Sequence, residues 1–407
     1  MKERSPARAL LGDRGFRALF LVMLVSNVGG WMQGFSEQWA VVQLAGPEAA
    51  AWSGRLSFAL GLALLILTPF GGAVADRFDR KRLLALSQLW LALVALAMGL
   101  LARSGGLTLG PLLGFALATG MGIALMGPAF HALLPDLVPR ESLAAASGLL
   151  SLQFNVSRMA GPALAALLLP LVGLGGNFLL NALSFLPLIL LLPWLPTASS
   201  TRGTRQEGSY REALRLCGED PQLLRVMLLS AGVGLFAFSY HAFVAVYATR
   251  YLGLGAGGAA SLLAAYGLGA IAGALWVVRD QGGDAWRPLF AGLLSYSLLL
   301  VGVAAFPRPG VAPLLVLALG ASHAVFGSYL TVVVQKRSPA ALRGRIMALF
   351  FTAVLGLMPL GNLLAGELAQ RLGHQGVRWV LGAEGLLLAA AVSLAWFRNP
   401  PLEPPPG

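Results

Sequence analysis

The sequence has little cysteine and little charge. Of 407 residues only 11% are Asp, Glu, Lys or Arg, against 57% hydrophobic, too few to clothe a soluble globule of that size in polar side chains. A single cysteine, Cys217, excludes an internal disulfide and a cysteine-rich metal site. Its neighbours Arg215, Glu219 and Asp220 place it in a polar loop. No lysine follows a glycine run in phosphate-loop spacing, and no strand precedes Gly253, Gly255 and Gly257, so neither direct use of ATP nor dinucleotide binding is expected. No cofactor and no metal is expected.

What the chain does have is apolar runs of about 20 residues, repeated throughout and without the period-2 alternation of a membrane barrel. Lipid is then the solvent, and the spans must be helices that satisfy their own backbone hydrogen bonds. The expected class is all-α membrane. Spans are predicted at Phe16 to Leu44, Trp52 to Val74, Leu83 to Ala102, Leu109 to Leu134, Ser142 to Leu171 and Asn177 to Leu195. A second set follows at Leu223 to Leu252, Gly258 to Val278, Trp286 to Phe306, Val311 to Gln335, Leu342 to Leu372 and Val377 to Phe397. Lys2, Arg4 and Arg8 ahead of the first run resemble a secretory signal, but the run has no small-residue cleavage site and reads as a span.

The formal charge of +12 falls in short clusters between apolar runs, with no soluble domain to present it to nucleic acid. Topology accounts for it. With both termini cytoplasmic, 22 of the 29 Lys and Arg lie on inner segments, 6 on outer ones, and Arg158 inside a span. A multi-pass protein of the inner (plasma) membrane is expected.

The polar stretch from Leu195 to Asp220 reads as a linker, dividing the chain into bundles 1–195 and 221–407 with residues 196–220 between them. At an offset of 200 residues the halves match at Gly120/Gly320, Gly127/Gly327, Pro139/Pro339, Gly161/Gly361 and Gly173/Gly373. Matched glycines and prolines mark the same bends and close contacts. Twelve helices in two six-helix bundles, related by a pseudo-two-fold normal to the membrane, are expected.

Between the second and third spans runs Gly71-Gly72-Ala73-Val74-Ala75-Asp76-Arg77-Phe78-Asp79-Arg80-Lys81-Arg82. Gly72 permits a close helix contact beneath Asp76, and Arg77, Arg80 and Lys81 anchor the loop. This run resembles the loop signature of the major facilitator superfamily, with Asp79 where that signature usually has glycine. Three further stretches resemble its enterobactin-exporter and macrolide-efflux branch. They are Trp31-Met32-Gln33 with Trp39, Asn155 to Pro162, and Arg343-Gly344-Arg345-Ile346-Met347. In that branch the residue before Trp39 is often acidic; here it is Gln38, with Glu37 one place earlier.

The resemblance implies a secondary transporter that exports an amphipathic small molecule (drug, macrolide or siderophore-like) against proton influx, by alternating access around a central cavity. Its partners would be the substrate, protons and the bilayer, and the protein would be a monomer rather than an enzyme. Uptake of a nutrient, or movement of a lysolipid-type molecule, is the alternative on the same scaffold; a membrane enzyme or receptor is a remote one.

Ser338 and Pro339 are predicted to cap and open the eleventh span, where Asp76 either locks one state or only helps the loop fold. Gly161-Pro162 should kink the fifth span, as the family's antiporters do or merely for packing. Glu37 and Arg158, charges in apolar runs, either pair or face water; by rise per residue they lie about 10 Å and about 18 Å from the outer helix ends. Phe236, Tyr240, Phe243, Tyr247 and Tyr251 share one helical face, as an aromatic wall for substrate or as packing. His241 and His323, in spans that line the cavity in this superfamily, either carry a proton or bond across helices.

Overall fold

A computed structural model describes residues 6–77, 79–195, 209–280, 283–339 and 341–398. Of these, residues 6, 7, 68–77, 128, 131, 132, 136, 140, 144 and 398 are described by backbone alone.

The described chain is helical: α1 (Pro6–Gly12), α2 (Arg14–Ala45), α3 (Ala49–Arg77), α4 (Arg80–Arg103), α5 (Leu109–Leu137), α6 (Leu143–Ser184), α7 (Leu186–Leu191) and α8 (Tyr210–Glu219). There follow α9 (Pro221–Phe236), α10 (Ser239–Leu252), α11 (Ala256–Arg279), α12 (Trp286–Ala305), α13 (Ala312–Arg337), α14 (Arg343–Phe351), α15 (Met358–Arg371) and α16 (Gly376–Arg398). Among the described residues, 10 helical stretches are long and apolar enough to cross a bilayer. Two of them, Arg14–Leu67 and Ala145–Trp194, hold 54 and 50 residues, about twice what a bilayer needs. The first is divided by a tight turn at Gly46–Glu48. The second breaks at Gly173, whose φ of 69° is a left-handed value that glycine takes without steric cost. The ten stretches therefore make twelve crossings, at the places the apolar runs predicted.

The fifth span does not break at Gly161-Pro162. α6 keeps helical dihedrals through both residues and leaves them only at Gly173. Proline removes one donor, for the carbonyl of Arg158 four residues back, which a helix can survive. Gly161 serves packing instead: a Cβ there would fall 2.5 Å from Trp31 Cβ and 2.8 Å from the Val28 carbonyl of α2.

The chain divides into two compact units, residues 1–44 with 59–204 and residues 45–58 with 205–407. Residues 45–58, expected with the first bundle, group with the second: Gly54 touches the backbone of Asn362 and Gly366, and Arg55 Nε donates to Glu367 Oε1 at 2.7 Å. Part of the expected linker is helix. Ser209 caps α8 by accepting from Arg211 N, α8 buries Ala213 and Cys217, and Arg345 of α14 stacks on the Tyr210 ring at 4.8 Å.

Two of the matched glycine pairs make matched contacts, each within its own unit. Gly120 of α5 lies against the Leu60 carbonyl of α3, and Gly320 of α13 against the Tyr266 carbonyl of α11. Gly161 of α6 abuts α2, and Gly361 of α15 abuts the Leu235 carbonyl of α9. The repeat is thus written in where backbones approach, since close packing of helices in lipid relies on small residues.

Candidate functional site

α2 carries a stripe of buried residues at helical spacing, Ser26, Gly29, Gln33, Ser36, Glu37 and Ala40, turned into the first unit. Four of the six are polar. A buried polar group needs a partner, and α5 and α6 supply them. Gln33 Nε2 donates to Glu37 Oε1 at 2.8 Å and to Thr119 Oγ1 at 3.3 Å. Gln33 Oε1 in turn accepts from Asn181 Nδ2 at 2.5 Å. One turn further along, Asn177 Nδ2 donates to Ser36 Oγ at 3.1 Å and to the Ala165 carbonyl at 3.0 Å. Glu37 is only 3% exposed, and among the described residues it enters no ion pair.

Arg158 does not pair with Glu37; its Nη2 donates to Asn155 Oδ1 at 3.1 Å. Helix register explains the difference. Gly161 touches α2 at Val28 to Met32, so Arg158, three residues earlier, sits near the level of Val28. Glu37 is then about nine residues higher, or about 13 Å by rise, beyond reach.

At the loop between α3 and α4, the side chains of Asp76 and Arg77 and the surroundings of Gly72 lie outside what is described. Asp79, the departure from the family signature, caps α4: its Oδ1 accepts from Arg82 N at 2.8 Å, the role an N-cap aspartate fills. Lys81 Nζ donates to the Leu195 carbonyl, fastening the start of α4 to the end of the sixth span, while Arg80 stands half-buried in the first turn.

Ser338 and Pro339 do not open the eleventh span. Ser338 closes α13, with its Oγ donating back to the Val334 carbonyl at 2.6 Å; α14 begins at Arg343 after a turn closed by Leu342 N on the Pro339 carbonyl at 3.0 Å. A serine hydroxyl serves the preceding turn as readily as the following one, and here burial at 3% exposure favours the former. The helix N-terminus expected to face Asp76 is not at this position.

The seventh span breaks between α9 and α10. Tyr240, Phe243 and Tyr247 of α10 have 0% exposed surface and pack inside the second unit rather than forming an open wall. Tyr240 stacks on Tyr266 with ring centroids 6.3 Å apart, and Tyr247 Oη donates to the Val303 carbonyl at 2.7 Å. Tyr251, further along, donates to the His374 carbonyl at 2.7 Å.

His241 and His323 do come together, with ring centroids 6.5 Å apart. The Tyr266 ring lies edge-on to His241 at 4.4 Å, and its hydroxyl shares a hydrogen bond with His323 Nδ1. Three spans are tied by this cluster, from α10, α11 and α13.

The sequence showed Gln33 and Glu37 but not the partners of Gln33, Thr119 and Asn181, nor the neighbouring pair Asn177 and Ser36, nor Glu384 on α16, 5% exposed and bonded to Ser239. The signal was available: polar residues isolated in apolar runs are costly in lipid and seldom without purpose.

The comparisons agree with this architecture. Residues 5–404 match the profile of a family described as transmembrane secretion effectors. The enterobactin exporter EntS of Citrobacter koseri is 29% identical, covering 96% of this chain and 94% of its own. The staphyloferrin A transporter of Staphylococcus aureus is 29% identical over 44% of each chain. Among solved structures, an inward-facing bacterial homologue of the human lysosomal transporter Spinster superposes with a TM-score of 0.73 at 18% identity, covering 97% of each chain. The nucleoside transporter NupG gives 0.75 at 13%, covering 93% of this chain and 98% of its own. The chain therefore belongs to the transmembrane secretion effector family and is a membrane transporter of the major facilitator superfamily.

Proposed function

We propose that the protein exports a siderophore-like or comparably amphipathic small molecule, coupled to proton influx, from the cytoplasm across the inner membrane. The carrying observation is Glu37: a carboxyl buried in a span, hydrogen-bonded to an amide and without a counter-ion among the described residues. An ionised carboxyl in such a place costs several kcal/mol, so the site is suited to take up a proton and to give it back when water reaches it. Gln33, Thr119 and Asn181 hold the carboxyl in position and extend the polar path across three spans. The exporter relatives support the outward direction, and 22 of 29 basic residues on one set of loops support cytoplasmic termini.

Arg158, half-buried on the fifth span beside Asn155, is assigned to an anionic group of the substrate. His323 is assigned to cross-helix hydrogen bonding through Tyr266, His241 to ring packing on the same tyrosine, and Tyr240 and Tyr247 to packing around that cluster. Energy comes from the ion gradient, transport runs by alternating access, and the working unit is a monomer.

The test is a deletion strain scored for secretion of siderophores and for susceptibility to a panel of amphipathic drugs. Wild type should restore export of at least one compound, while Glu37→Gln and Arg158→Ala, at equal membrane expression, should not. Restoration of uptake rather than release, or full export by both variants, contradicts the proposal.

A further inference from the structure

The first and last spans of each unit meet through buried polar groups. In the first unit α2 meets α6, joined by Gln33 and Asn181 and carrying Glu37. In the second α10 meets α16, where Ser239 Oγ donates to Glu384 Oε1 at 2.6 Å. At the repeat offset of 200, Glu384 corresponds to Ser184, which donates to Asn181 Oδ1 at 3.0 Å. The same pair of spans thus carries a polar junction in both halves, and in both halves that junction includes one glutamate.

Glu384 is buried with only one of its two carboxyl oxygens bonded. Its Oε2 is buried without a hydrogen-bond partner, as is the hydroxyl of Tyr240, next in sequence to Ser239. No ion pair involves Glu384 among the described residues. The groups that face it are few. α10 presents Ser239, and α12 presents Tyr296, whose hydroxyl is committed to the Ala237 carbonyl. On α9 the one cation is Arg225, stacked over Trp286 at 5.6 Å; on α15 Glu367 is held by Arg55, with Arg371 at the helix end. On α16 itself, Arg378 is committed to the Ala304 carbonyl at 2.8 Å.

The acid also sits at a joint. Ser239 is the first residue of α10, directly after the interruption at Ala237 and Phe238, so Glu384 holds the start of the second half of the seventh span. Discontinuous helices are where transporters typically build their substrate and coupling-ion sites.

We propose that Glu384 is a second proton-binding site, held by Ser239 at the joint between α9 and α10, so that each unit carries one buried acid that takes up and releases a proton. Its role in coupling rests on the transport reading above; the binding of the proton does not.

The test is an infrared pH titration of the purified full-length protein in liposomes, with the proton itself as the probe. Wild type, Glu384→Gln, Glu37→Gln and Ser239→Ala are compared from about pH 5 to about pH 10. The expected result is a protonated-carboxyl band that vanishes in Glu384→Gln and survives in Glu37→Gln, disappears as the pH rises, and shifts in frequency and midpoint in Ser239→Ala. A Glu384→Gln spectrum identical to wild type overturns the proposal, and so does a Glu384 band unchanged across the whole range. A titrating Glu384 band in a protein whose transport ignores proton gradients upholds the site and overturns the transport reading.

Discussion

Asn181 on α6 donates its amide to the Oε1 of Gln33 on α2 at 2.5 Å, and through Gln33 fixes the carboxyl of Glu37 one turn away. An acid inside a membrane span is thereby positioned by two neutral amides rather than by a cation. Removing the middle member should show the energetic weight of the arrangement. Gln33→Ala leaves Asn181 and Glu37 without this partner, and buried polar groups left unsatisfied cost about 1–3 kcal/mol. The thermal unfolding midpoint in detergent should fall, and Asn181→Leu should lower it by a similar amount. An unchanged midpoint in both would show that water replaces the amide freely and that the site is not preorganised.

The contact between α11 and α13 depends on the absence of side chains. A Cβ on Gly320 would collide with the backbone carbonyl of Tyr266, so Gly320→Val must separate two helices at a cost of about 1–3 kcal/mol or more. Gly114 on α5 is exposed, with nothing within 4 Å of an added Cβ. There Gly114→Ala should be neutral or stabilise by up to about 1 kcal/mol. Yield of monodisperse protein and unfolding midpoint check both; equal effects of the two substitutions would contradict the packing argument.

These glycines also mark what was legible beforehand. The twelve spans followed from apolar runs because the length a bilayer demands is fixed, and the repeat followed from Gly120/Gly320 and Gly161/Gly361 because only glycine allows such approach. Local context misled at Ser338, where a hydroxyl with two eligible turns took the earlier one. The pairing of Glu37 depended on the vertical register of α2 and α6, which no pattern within either helix encodes. Glu384 was visible as an acid in the last span, but its partner Ser239 lies 145 residues away.

Arg55 and Glu367 meet at 2.7 Å with side chains 37% and 35% exposed. Solvent at that exposure limits the pair to about 1 kcal/mol or less. In a cycle of Arg55→Glu, Glu367→Arg and the exchanged pair, each single reversal should lower the unfolding midpoint and the exchange should recover most of the loss. High salt should shrink both effects. Failure of the exchanged pair to recover would show that Arg55 acts through its stacking on Trp52, 4.9 Å away, and not through its charge.

Cys217 tests the placement of α8 outside the spans. Burial pushes the thiol upward, and the Asp220 carboxylate adds to the shift. The reactive thiolate is therefore scarce at neutral pH and becomes abundant only as the pH passes the ordinary thiol range of about 8–9. Maleimide labelling of the folded protein should be much slower than in sodium dodecyl sulfate, and should accelerate with pH. Rapid, complete labelling of the folded protein at neutral pH would show that α8 is not packed as described.

The most direct test of proton coupling uses inside-out vesicles acidified by ATP, with the compound that the deletion strain identifies as the transported probe. Wild type should accumulate the probe and lose it when the gradient is collapsed. Glu37→Gln should no longer respond to the gradient while still exchanging labelled for unlabelled probe. Accumulation by wild type that survives collapse of the gradient, or full gradient-driven accumulation by Glu37→Gln, would contradict the account.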